Sequence, residues 1–357
     1  MNFDYNEEQQ LLADSVRRFL QNSYPFEERK KIIDGEGWSP QVWARFAEMG
    51  LTGLPLPAEH GGFGGGAVDL MGVMEAFGEA LVIEPYLPTV IAARLVARGG
   101  SDAQKGAVLP AVAEGKMKLA FAHDEQGARF RLDHVTLKAD KNILHGEKSA
   151  VLGAPVADKL VVSARTPKGV ELYLAKKESV AMKPFRTMDG MLAADLAFKA
   201  VPAEPLAGGL AAIEEAIDFA TALVCAEAVG AMKFACDTTL EYLKTRKQFG
   251  VPIGTFQALQ HRIVDMFIAY EQAKSMACLA CSKIDISENA ADRARSVSSA
   301  KIKISDSARH IGQEAVQLHG GMGMSEELKV SHAFRRLTVL ARQFGDADHH
   351  LARFASL

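Results

Sequence analysis

The spacing of apolar residues along the first third of the chain predicts helices. Asn6-Glu-Glu-Gln9 has the form of a capping box, in which side chains satisfy the free amides at a helix start. The apolar stripe that follows it has helical spacing and consists of Leu11, Leu12, Val16, Phe19 and Leu20. Further helical patterns, separated by prolines and by a glycine-rich loop at 61–66, cover Trp43–Leu54, Leu70–Ala80 and Thr89–Ala97.

From Lys118 the pattern changes to short runs rich in Val, Leu and Phe, broken by Asp, Asn, Gly and Pro, which is typical of β strands. Asp140-Lys-Asn142 predicts a hairpin turn. The runs that predict strands are Lys118–His123, Val135–Lys138, Lys159–Ala164, Val170–Ala175 and Leu196–Val201.

After Gly208-Gly209 the pattern is helical to the end, and Pro252 is the one proline beyond Pro205. It predicts an antiparallel four-helix bundle with helices at 210–247, 254–285, 291–318 and 326–354. The fold class is therefore α+β. We expect an N-terminal α domain at 1–117, a middle β domain at 118–206 and a C-terminal α bundle at 207–357.

The composition argues against two classes of function. Of the 357 residues 48% are hydrophobic and 24% charged, and the net charge is -3, so no basic field predicts binding to nucleic acid or to an anionic membrane. The N-terminus lacks the features of a signal peptide, and no apolar run approaches the roughly 20 residues of a membrane helix. We therefore expect a cytoplasmic location.

The cysteines predict no special chemistry. Four are too few for a disulfide framework in a chain of this length. Cys278-Leu-Ala-Cys281 has the spacing of a redox or zinc half-site, but it lies in a helical pattern and has no second Cys or His pair at ligand spacing. We interpret both as core residues and expect no metal site.

Two motifs in the C-terminal half carry candidate chemistry. Arg246-Lys-Gln-Phe-Gly250 lies where the first long helix ends: Gly250 is suited to cap that helix, and Arg246 carries a fork of donors suited to phosphate. Gln317-Leu-His-Gly-Gly-Met-Gly323 follows the third helix, and its glycines would let backbone amides approach a pyrophosphate. Taken singly, each is also explained as a helix end or a turn.

Together, and with Gln257 between them, the two motifs resemble the C-terminal signatures of the acyl-CoA dehydrogenases, a family of FAD-dependent flavoproteins. The resemblance extends to the α–β–α order and to Pro57-Ala-Glu-His-Gly-Gly62. It implies the acyl-CoA dehydrogenase fold, in which the middle β domain is β-barrel-like. It implies that each C-terminal bundle receives the adenosine and pyrophosphate end of an FAD whose ring is held by a neighbouring subunit. The cofactor positions carried over by motif match are Arg246, Gln248, Phe249, Gly250, Gln257, Gln317, Gly320, Gly321 and Gly323.

The same resemblance locates two positions for a catalytic base, which in this family takes an α-proton from the acyl-CoA. The usual glutamate corresponds to Gly345, and the alternative position, early in the first bundle helix, corresponds to Ala220. Neither has a carboxylate, so the catalytic residue is unknown. Asp346 and Glu227 are the nearest carboxylates, interpreted either as relocated bases or as a polar hydrogen-bonding residue and a helix-packing ion pair.

The predicted ring site also departs from the family. The ring-binding loop corresponds to His123–Arg129, and the strand whose Trp and Thr contact the flavin corresponds to Ala150-Val-Leu-Gly153. His123 and Asp124 form either a new polar pair or a surface turn. The motifs for a neighbour's FAD are kept while the chain's own ring site is degraded.

This combination resembles the small, non-catalytic subunits of heteromeric bacterial acyl-CoA dehydrogenases, among which those of pimeloyl-CoA dehydrogenases are the most similar. It implies as partners a larger acyl-CoA dehydrogenase subunit, an acyl-CoA substrate and electron-transfer flavoprotein. Two alternatives are open: a self-sufficient homo-oligomer, dimer or tetramer, with a relocated base, and a flavin-free protein that binds CoA thioesters or acts as a scaffold.

Overall fold

The computed structural model describes residues 5–357, which fold as helices, then strands, then helices, in the predicted order. The elements of its first part are α1 (Glu7–Ser23), α2 (Phe26–Asp34), α3 (Pro40–Glu48), α4 (Ala67–Ala80), α5 (Tyr86–Gly99) and α6 (Asp102–Ala113). The strands that follow are β1 (Leu119–Ala122), β2 (Lys138–Asp140), β3 (Ile143–Leu152), β4 (Lys159–Thr166), β5 (Gly169–Lys176), β6 (Ala181–Arg186) and β7 (Leu192–Leu206). The last part comprises α7 (Gly209–Thr245), β8 (Lys247–Gln248), β9 (Val251–Pro252), α8 (Gln257–Ile286), α9 (Ala290–His319), α10 (Lys329–Leu340) and α11 (Ala347–Ser356).

The chain divides into two compact units. Among residues 5–357, the helical unit comprises 5–30, Gly66–Val82 and Thr221–Leu357, and the mixed unit comprises Lys31–Gly65 and Ile83–Ala220. Early and late segments of the sequence therefore share the helical unit. The boundaries at 117 and 206 stay predictions.

In the helical unit, α1 begins as the sequence predicts. The Asn6 carboxamide accepts a hydrogen bond from the amide of Gln9 at 2.8 Å, and the Gln9 side chain accepts one from the Asn6 amide at 3.0 Å. The buried face of α1 is centred on Ala13, Val16 and Leu20, whereas Leu11 is 68% exposed. The predicted stripe was wrong at Leu11, because this residue lies on the opposite side of the helix from the core.

Two glycines allow α4 and α7 to meet backbone to backbone. A Cβ atom on Gly78 would lie 1.9 Å from the carbonyl oxygen of Glu227, and one on Gly230 would lie 1.9 Å from that of Glu75. Any side chain at either position would push the helices apart, so this crossing depends on both glycines.

Helix α7 corrects one expectation from the sequence. By its length and composition alone α7 could cross a membrane, whereas we expected no apolar run of that length. In the structure, however, 89% of its most apolar stretch is buried inside the protein. We therefore interpret α7 as a core helix.

The mixed unit contains a sheet of seven strands among residues 5–357, in the order β1-β4-β2-β3-β7-β5, with β6 added on β7. A further pairing between β4 and β5 closes the path into a barrel, as predicted. The β2–β3 hairpin is also confirmed: Asp140 pairs with Ile143, and Lys141 and Asn142 take φ values of 45° and 65°, which a two-residue type I′ turn requires. The predicted runs missed both β3 and β6: β6 is mostly exposed, and neither strand contains a continuous apolar run.

The predicted fourth bundle helix at 326–354 is wrong as a single element. It is divided into α10 and α11 at Phe344 and Gly345, where φ is 61° and 118°. Such values end a right-handed helix. Asp346 then caps the new helix by accepting a hydrogen bond from the amide of His349 at 2.9 Å.

Candidate functional site

The first motif forms an exposed two-residue hairpin. Helix α7 ends at Thr245, and Gln248 of β8 pairs with Val251 of β9. Phe249 and Gly250 form the turn with φ values of 53° and 82°. Gly250 is thus a turn residue, and its interpretation as a cap of α7 was wrong.

Phe249 combines strain with exposure. A left-handed backbone costs a non-glycine residue about 1–2 kcal/mol, and the ring of Phe249 is 90% exposed. Its contact within the chain is an edge-to-face arrangement with Phe256, with centroids 6.0 Å apart. A strained, exposed aromatic at the tip of a hairpin favours a binding role over a folding role.

The second motif forms a 3₁₀ turn over Gly320–Met324 after α9. Gly320 takes φ 63° and ψ −147°, a region that only glycine occupies readily, and its amide donates to the carbonyl of Gln317. A Cβ atom on Gly320 or Gly321 would meet nothing within 4 Å, whereas one on Gly323 would lie 2.5 Å from the carbonyl oxygen of Val316. The first two glycines are open, and Gly323 packs the turn onto α9.

The helical unit brings these segments to one end. The rings of Tyr242 in α7 and His319 in α9 stack at 4.4 Å, four residues before Arg246 and one before Gly320. His319 is buried, and its Nδ1 lies 2.8 Å from the carbonyl oxygen of Ala315. Burial lowers the pKa of His319, so the ring stays neutral.

A second contact fixes the start of α8 at the same end. Arg262 of α8 forms an ion pair of 2.6 Å with Glu314 of α9, three residues before Gln317. Gln257 opens α8 and is exposed, as are Arg246, Gln248 and Gln317. We call this set the nucleotide-side cluster: Arg246, Gln248, Phe249, Gly250, Gln257, Gln317, Gly320 and Gly321.

Large apolar side chains are exposed beside this cluster. Phe249 and Phe256 lie at the hairpin, Met322 and Met324 on the 3₁₀ turn, and Val264, Phe267 and Ile268 on α8. The last three share one helical face, since they recur at a spacing of three to four residues. Exposed apolar side chains grouped on one helical face are typical of surfaces that contact another protein.

The structure encloses Gly345, the first predicted base position. Gly345 is buried with φ 118°, and a Cβ atom there would lie 2.6 Å from both His349 Cδ2 and His350 Nε2. The Nε2 atom of His350 contacts the carbonyl oxygen of Phe344 at 3.0 Å. Burial, with Lys301 nearby, lowers the pKa of His350 to about 3, so its ring is neutral. The local backbone and packing both exclude a side chain at 345.

The carboxylates near the two base positions have structural partners. Asp346 caps α11, as described above. Glu227 forms a buried ion pair with Arg336, with Oε1 2.7 Å from Nε. This agrees with its interpretation as a helix-packing pair. The alternative base position, Ala220, is fully buried in α7.

The segment that matches the family's ring-binding loop contains a buried polar network in the mixed unit. Lys148 donates to the carbonyl of His123 at 2.9 Å, to Glu125 at 2.8 Å and to Ser163 at 2.8 Å. His123 is buried with its Nδ1 2.9 Å from the Ser163 hydroxyl, so its interpretation as part of a surface turn was wrong, and its side-chain partner here is Ser163 rather than Asp124. The network fixes the loop from within.

Charge in this network is balanced. Hydrogen bonds from Lys148 and Thr136 outweigh desolvation and lower the pKa of Glu125 to about 2, while burial lowers the pKa of Lys148 to about 8. Burial also lowers the pKa of His123 to about 3. At neutral pH the network therefore holds one ion pair and a neutral imidazole.

The strand segment that matches the family's ring-contacting residues is irregular here. Ala150 has φ 51°, lies at a bulge of β3 against β7, and its amide donates to Asp195 at 2.9 Å. Its methyl group is exposed, and Leu152 is half-buried. Neither side chain carries an aromatic ring or a hydroxyl that would contact a flavin.

Sequence reasoning missed Tyr242, Arg262, Glu314 and His319 as the residues that position the cluster. The only available signal was weak: His319 lies inside the second motif, and Tyr242 lies one helical turn before the first. Their contact joins residues 77 positions apart and has no periodicity to reveal it.

The helix–strand–helix order, the closed barrel and the long C-terminal helices define the fold of the acyl-CoA dehydrogenases. Two family models match the chain: "Acyl-CoA dehydrogenase, N-terminal domain" over residues 6–116 and "Acyl-CoA dehydrogenase, C-terminal domain" over residues 207–355. The chain belongs to the acyl-CoA dehydrogenase family, whose members are oxidoreductases.

Similar proteins cover the chain nearly end to end. The caffeyl-CoA reductase–Etf complex subunit CarC of Acetobacterium woodii is 28% identical over 358 residues, which is 94% of each chain. A variant of the Tcur3481-Tcur3483 steroid ACAD is 27% identical, with a TM-score of 0.91 over 98% of this chain and 97% of that one. The ChsE4-ChsE5 complex from Mycobacterium tuberculosis shares the fold, at 24% identity and a TM-score of 0.92 over 100% of this chain and 98% of that one.

Proposed function

We propose that this chain is the non-catalytic partner subunit of a heteromeric acyl-CoA dehydrogenase, an enzyme that desaturates an acyl-CoA thioester between Cα and Cβ. One observation carries the proposal. Gly345, which matches the family's catalytic glutamate, is buried at φ 118° with two histidine rings 2.6 Å from where a Cβ atom would lie. Residue 345 therefore supplies no proton acceptor, and we infer that another subunit supplies it.

The nucleotide-side cluster fits the adenosine and pyrophosphate end of FAD. Gly320 and Gly321 leave open space where side chains would otherwise lie, so a phosphate group can approach the backbone closely there. Arg246 is exposed at the base of the hairpin and offers paired donors to a diphosphate. Gln248, Gln257 and Gln317 are exposed and add donors and acceptors.

When bound, FAD would be the acceptor for the hydride that leaves Cβ of the acyl-CoA. In the proposed complex this chain's residues bind and orient the nucleotide: Arg246 neutralises phosphate charge, and Phe249 covers the site against water. The chain's own ring segment contributes less, because Ala150 and Leu152 offer no ring or hydroxyl. The partner would supply both the base and the main contacts to the ring.

The apolar surface beside the cluster supports a protein partner. The exposed side chains of Val264, Phe267 and Ile268 lie on α8, the helix that Gln257 opens, and share one helical face. A shared cofactor site requires that a second subunit cover this surface. The neighbours whose names describe a ChsE4-ChsE5 complex and a Tcur3481-Tcur3483 pair support a heteromeric assembly.

Other parts of the proposal rest on the resemblance and on relatives. The name of the Acetobacterium woodii relative includes an Etf complex, which supports electron-transfer flavoprotein as the acceptor for this chain's complex. We also propose that the complex is cytoplasmic. The homo-oligomer with a relocated base is disfavoured, because Asp346 and Glu227 are engaged in a helix cap and a buried ion pair.

The test is to express the chain alone and together with a longer acyl-CoA dehydrogenase subunit encoded beside it. We expect the pair to purify as one complex with bound flavin and to reduce a dye with acyl-CoA, while the lone chain does neither. Stoichiometric FAD and turnover in the lone chain would establish the homo-oligomer, and tight acyl-CoA binding without flavin would establish the scaffold. A stable monomer that does not bind the longer subunit would also contradict the proposal.

A further inference from the structure

A cavity of about 240 Å³ lies within the helical unit, and none of its lining residues belongs to the nucleotide-side cluster. Its walls come from α1, α4, α7, the start of α2 and the start of α10. The apolar part of the wall includes Leu20, Phe26 and Phe234, and the charged part consists of Arg17, Glu79, Lys233, Asp237 and Lys329.

Four of the five charged side chains form two ion pairs. Arg17 Nε lies 3.1 Å from Glu79 Oε1, and Lys233 Nζ lies 2.6 Å from Asp237 Oδ2. Arg17 also lies 3.3 Å from Glu75 Oε2, so each of these four groups already has a partner of opposite charge.

Lys329 is different. Its ammonium donates to the carbonyl oxygen of Glu79 at 2.6 Å and lies 4.1 Å from the centroid of the Phe234 ring. Across residues 5–357 no carboxylate forms an ion pair with it. An ammonium has three donors and a full charge, and one backbone oxygen and one ring face satisfy them only in part.

We propose that this cavity binds a small organic monocarboxylate, with the carboxylate on the ammonium of Lys329 and the apolar body against Leu20, Phe26 and Phe234. The cavity of about 240 Å³ is slightly below the ~300 Å³ of the smallest common ligand pockets, so its size suits a small ligand. The charge also fits, since Lys329 carries one positive charge and forms no ion pair with a carboxylate among residues 5–357. A dianion such as phosphate would retain a charge beside Glu79 and Asp237.

The charged groups that face Lys329 set its pH dependence. They are Arg17 from α1, Arg29 from α2, Glu79 from α4, and Lys233 and Asp237 from α7. Desolvation, with Arg29, lowers the pKa of Lys329 to about 8. The ammonium is therefore mostly charged at pH 7 and loses its proton in mildly alkaline solution, so anion binding should weaken there.

The experiment uses calorimetry on the full chain at pH 7 with benzoate, and with benzamide as its uncharged counterpart. We expect benzoate to bind in the millimolar range or tighter and benzamide to bind at least tenfold more weakly. Lys329→Met should lose at least tenfold in benzoate affinity. Lys233→Met is the matched control, because it removes another lining lysine that Asp237 already neutralises, and it should change the affinity less than threefold.

A measurement on the unaltered chain covers the case in which Lys329→Met does not fold. Benzoate affinity should fall roughly tenfold per pH unit above about 8, as the protonated fraction falls. Three results would overturn the proposal: no benzoate binding at 10 mM or below, equal binding of benzamide, or an affinity that neither Lys329→Met nor alkaline pH reduces. None of these readouts depends on flavin or a partner, so the outcome is independent of the proposed function.

Discussion

The imidazole of His319 stacks on the ring of Tyr242, with ring centroids 4.4 Å apart and planes inclined by 25°. This contact joins the C-terminal end of α9 to the C-terminal end of α7. Each helix is followed directly by one of the two motifs, so the stack brings Arg246 and Gly320 to one end of the helical unit. It therefore forms the structural basis of the nucleotide-side cluster.

Arg246→Ala should weaken FAD retention in the assembled complex. The loss should be about 1.5–3 kcal/mol, the range of a charge-assisted hydrogen bond. Flavin content and affinity after purification measure it. Lys244→Ala is the matched control, because Lys244 is an exposed cation two residues earlier whose ammonium pairs with Glu241 at 2.8 Å. Equal flavin retention in both variants would assign Arg246 to the helix end alone.

Two glycines of the second motif should differ in what they contribute, one to the stability of the chain and the other to flavin binding. Gly323→Ala places a Cβ atom 2.5 Å from a backbone oxygen and should lower the melting temperature, by an amount equivalent to about 1–3 kcal/mol. Gly321→Ala meets nothing within 4 Å and should leave stability unchanged while it reduces flavin binding in the complex. If Gly321→Ala binds flavin normally, no ligand approaches this turn closely.

The lone chain should show negligible acyl-CoA oxidation, since neither Gly345 nor Ala220 accepts a proton. Gly345→Glu should not restore it, because the chain lacks ring contacts at Ala150 and Leu152, and orientation accounts for roughly 7–11 kcal/mol of such barriers. In the complex, Asp346→Asn should retain most activity, because an asparagine also caps a helix. Dye reduction by the unaltered lone chain at ordinary enzyme rates would contradict this reading.

Stability around Gly345 offers a test that needs no partner. Gly345→Ala should cost about 1–3 kcal/mol more than Gly127→Ala, because it adds overpacking to backbone strain. Gly127 has φ 83° with nothing within 4 Å of an added Cβ atom, so it reports strain without a clash. Urea unfolding at pH 7 measures both. Equal costs would mean that the histidine rings yield to a side chain at 345.

Acid should destabilise the chain through its buried histidines. Burial lowers the pKa of His123 and His350 from 6.5 to about 3, and that of His332 to about 4. Below pH about 6.5 these histidines bind protons in the unfolded chain but stay neutral in the folded chain. The free energy of unfolding therefore decreases as the pH is lowered, until the pH reaches the folded pKa values. The slope should approach 1.4 kcal/mol per pH unit for each histidine, a rough upper bound.

Urea unfolding at pH 7 and pH 5 measures this slope. His350→Gln should reduce it, because the substitution removes one of the histidines whose pKa burial lowers. His145→Gln is the control, since His145 is exposed on β3. A slope that His350→Gln leaves unchanged would mean that this ring is protonated in the folded chain.

The sequence by itself determined the order of helices and strands, the cap of α1, the β2–β3 turn and the family. These features depend on local spacing, on φ preferences of neighbouring residues or on motifs, and each is written in a short stretch of chain. The two motifs and the loss of carboxylates at 345 and 220 were therefore visible without coordinates.

Only the tertiary structure decided what surrounds those residues. It closed the barrel by pairing β4 with β5, stacked Tyr242 on His319, buried His123 beside Lys148 and left Lys329 facing a cavity without a carboxylate partner among residues 5–357. It also divided the last helix at Gly345, where a helical apolar pattern continued across the break. Packing between distant segments sets these features, and such contacts leave no periodic trace in one sequence.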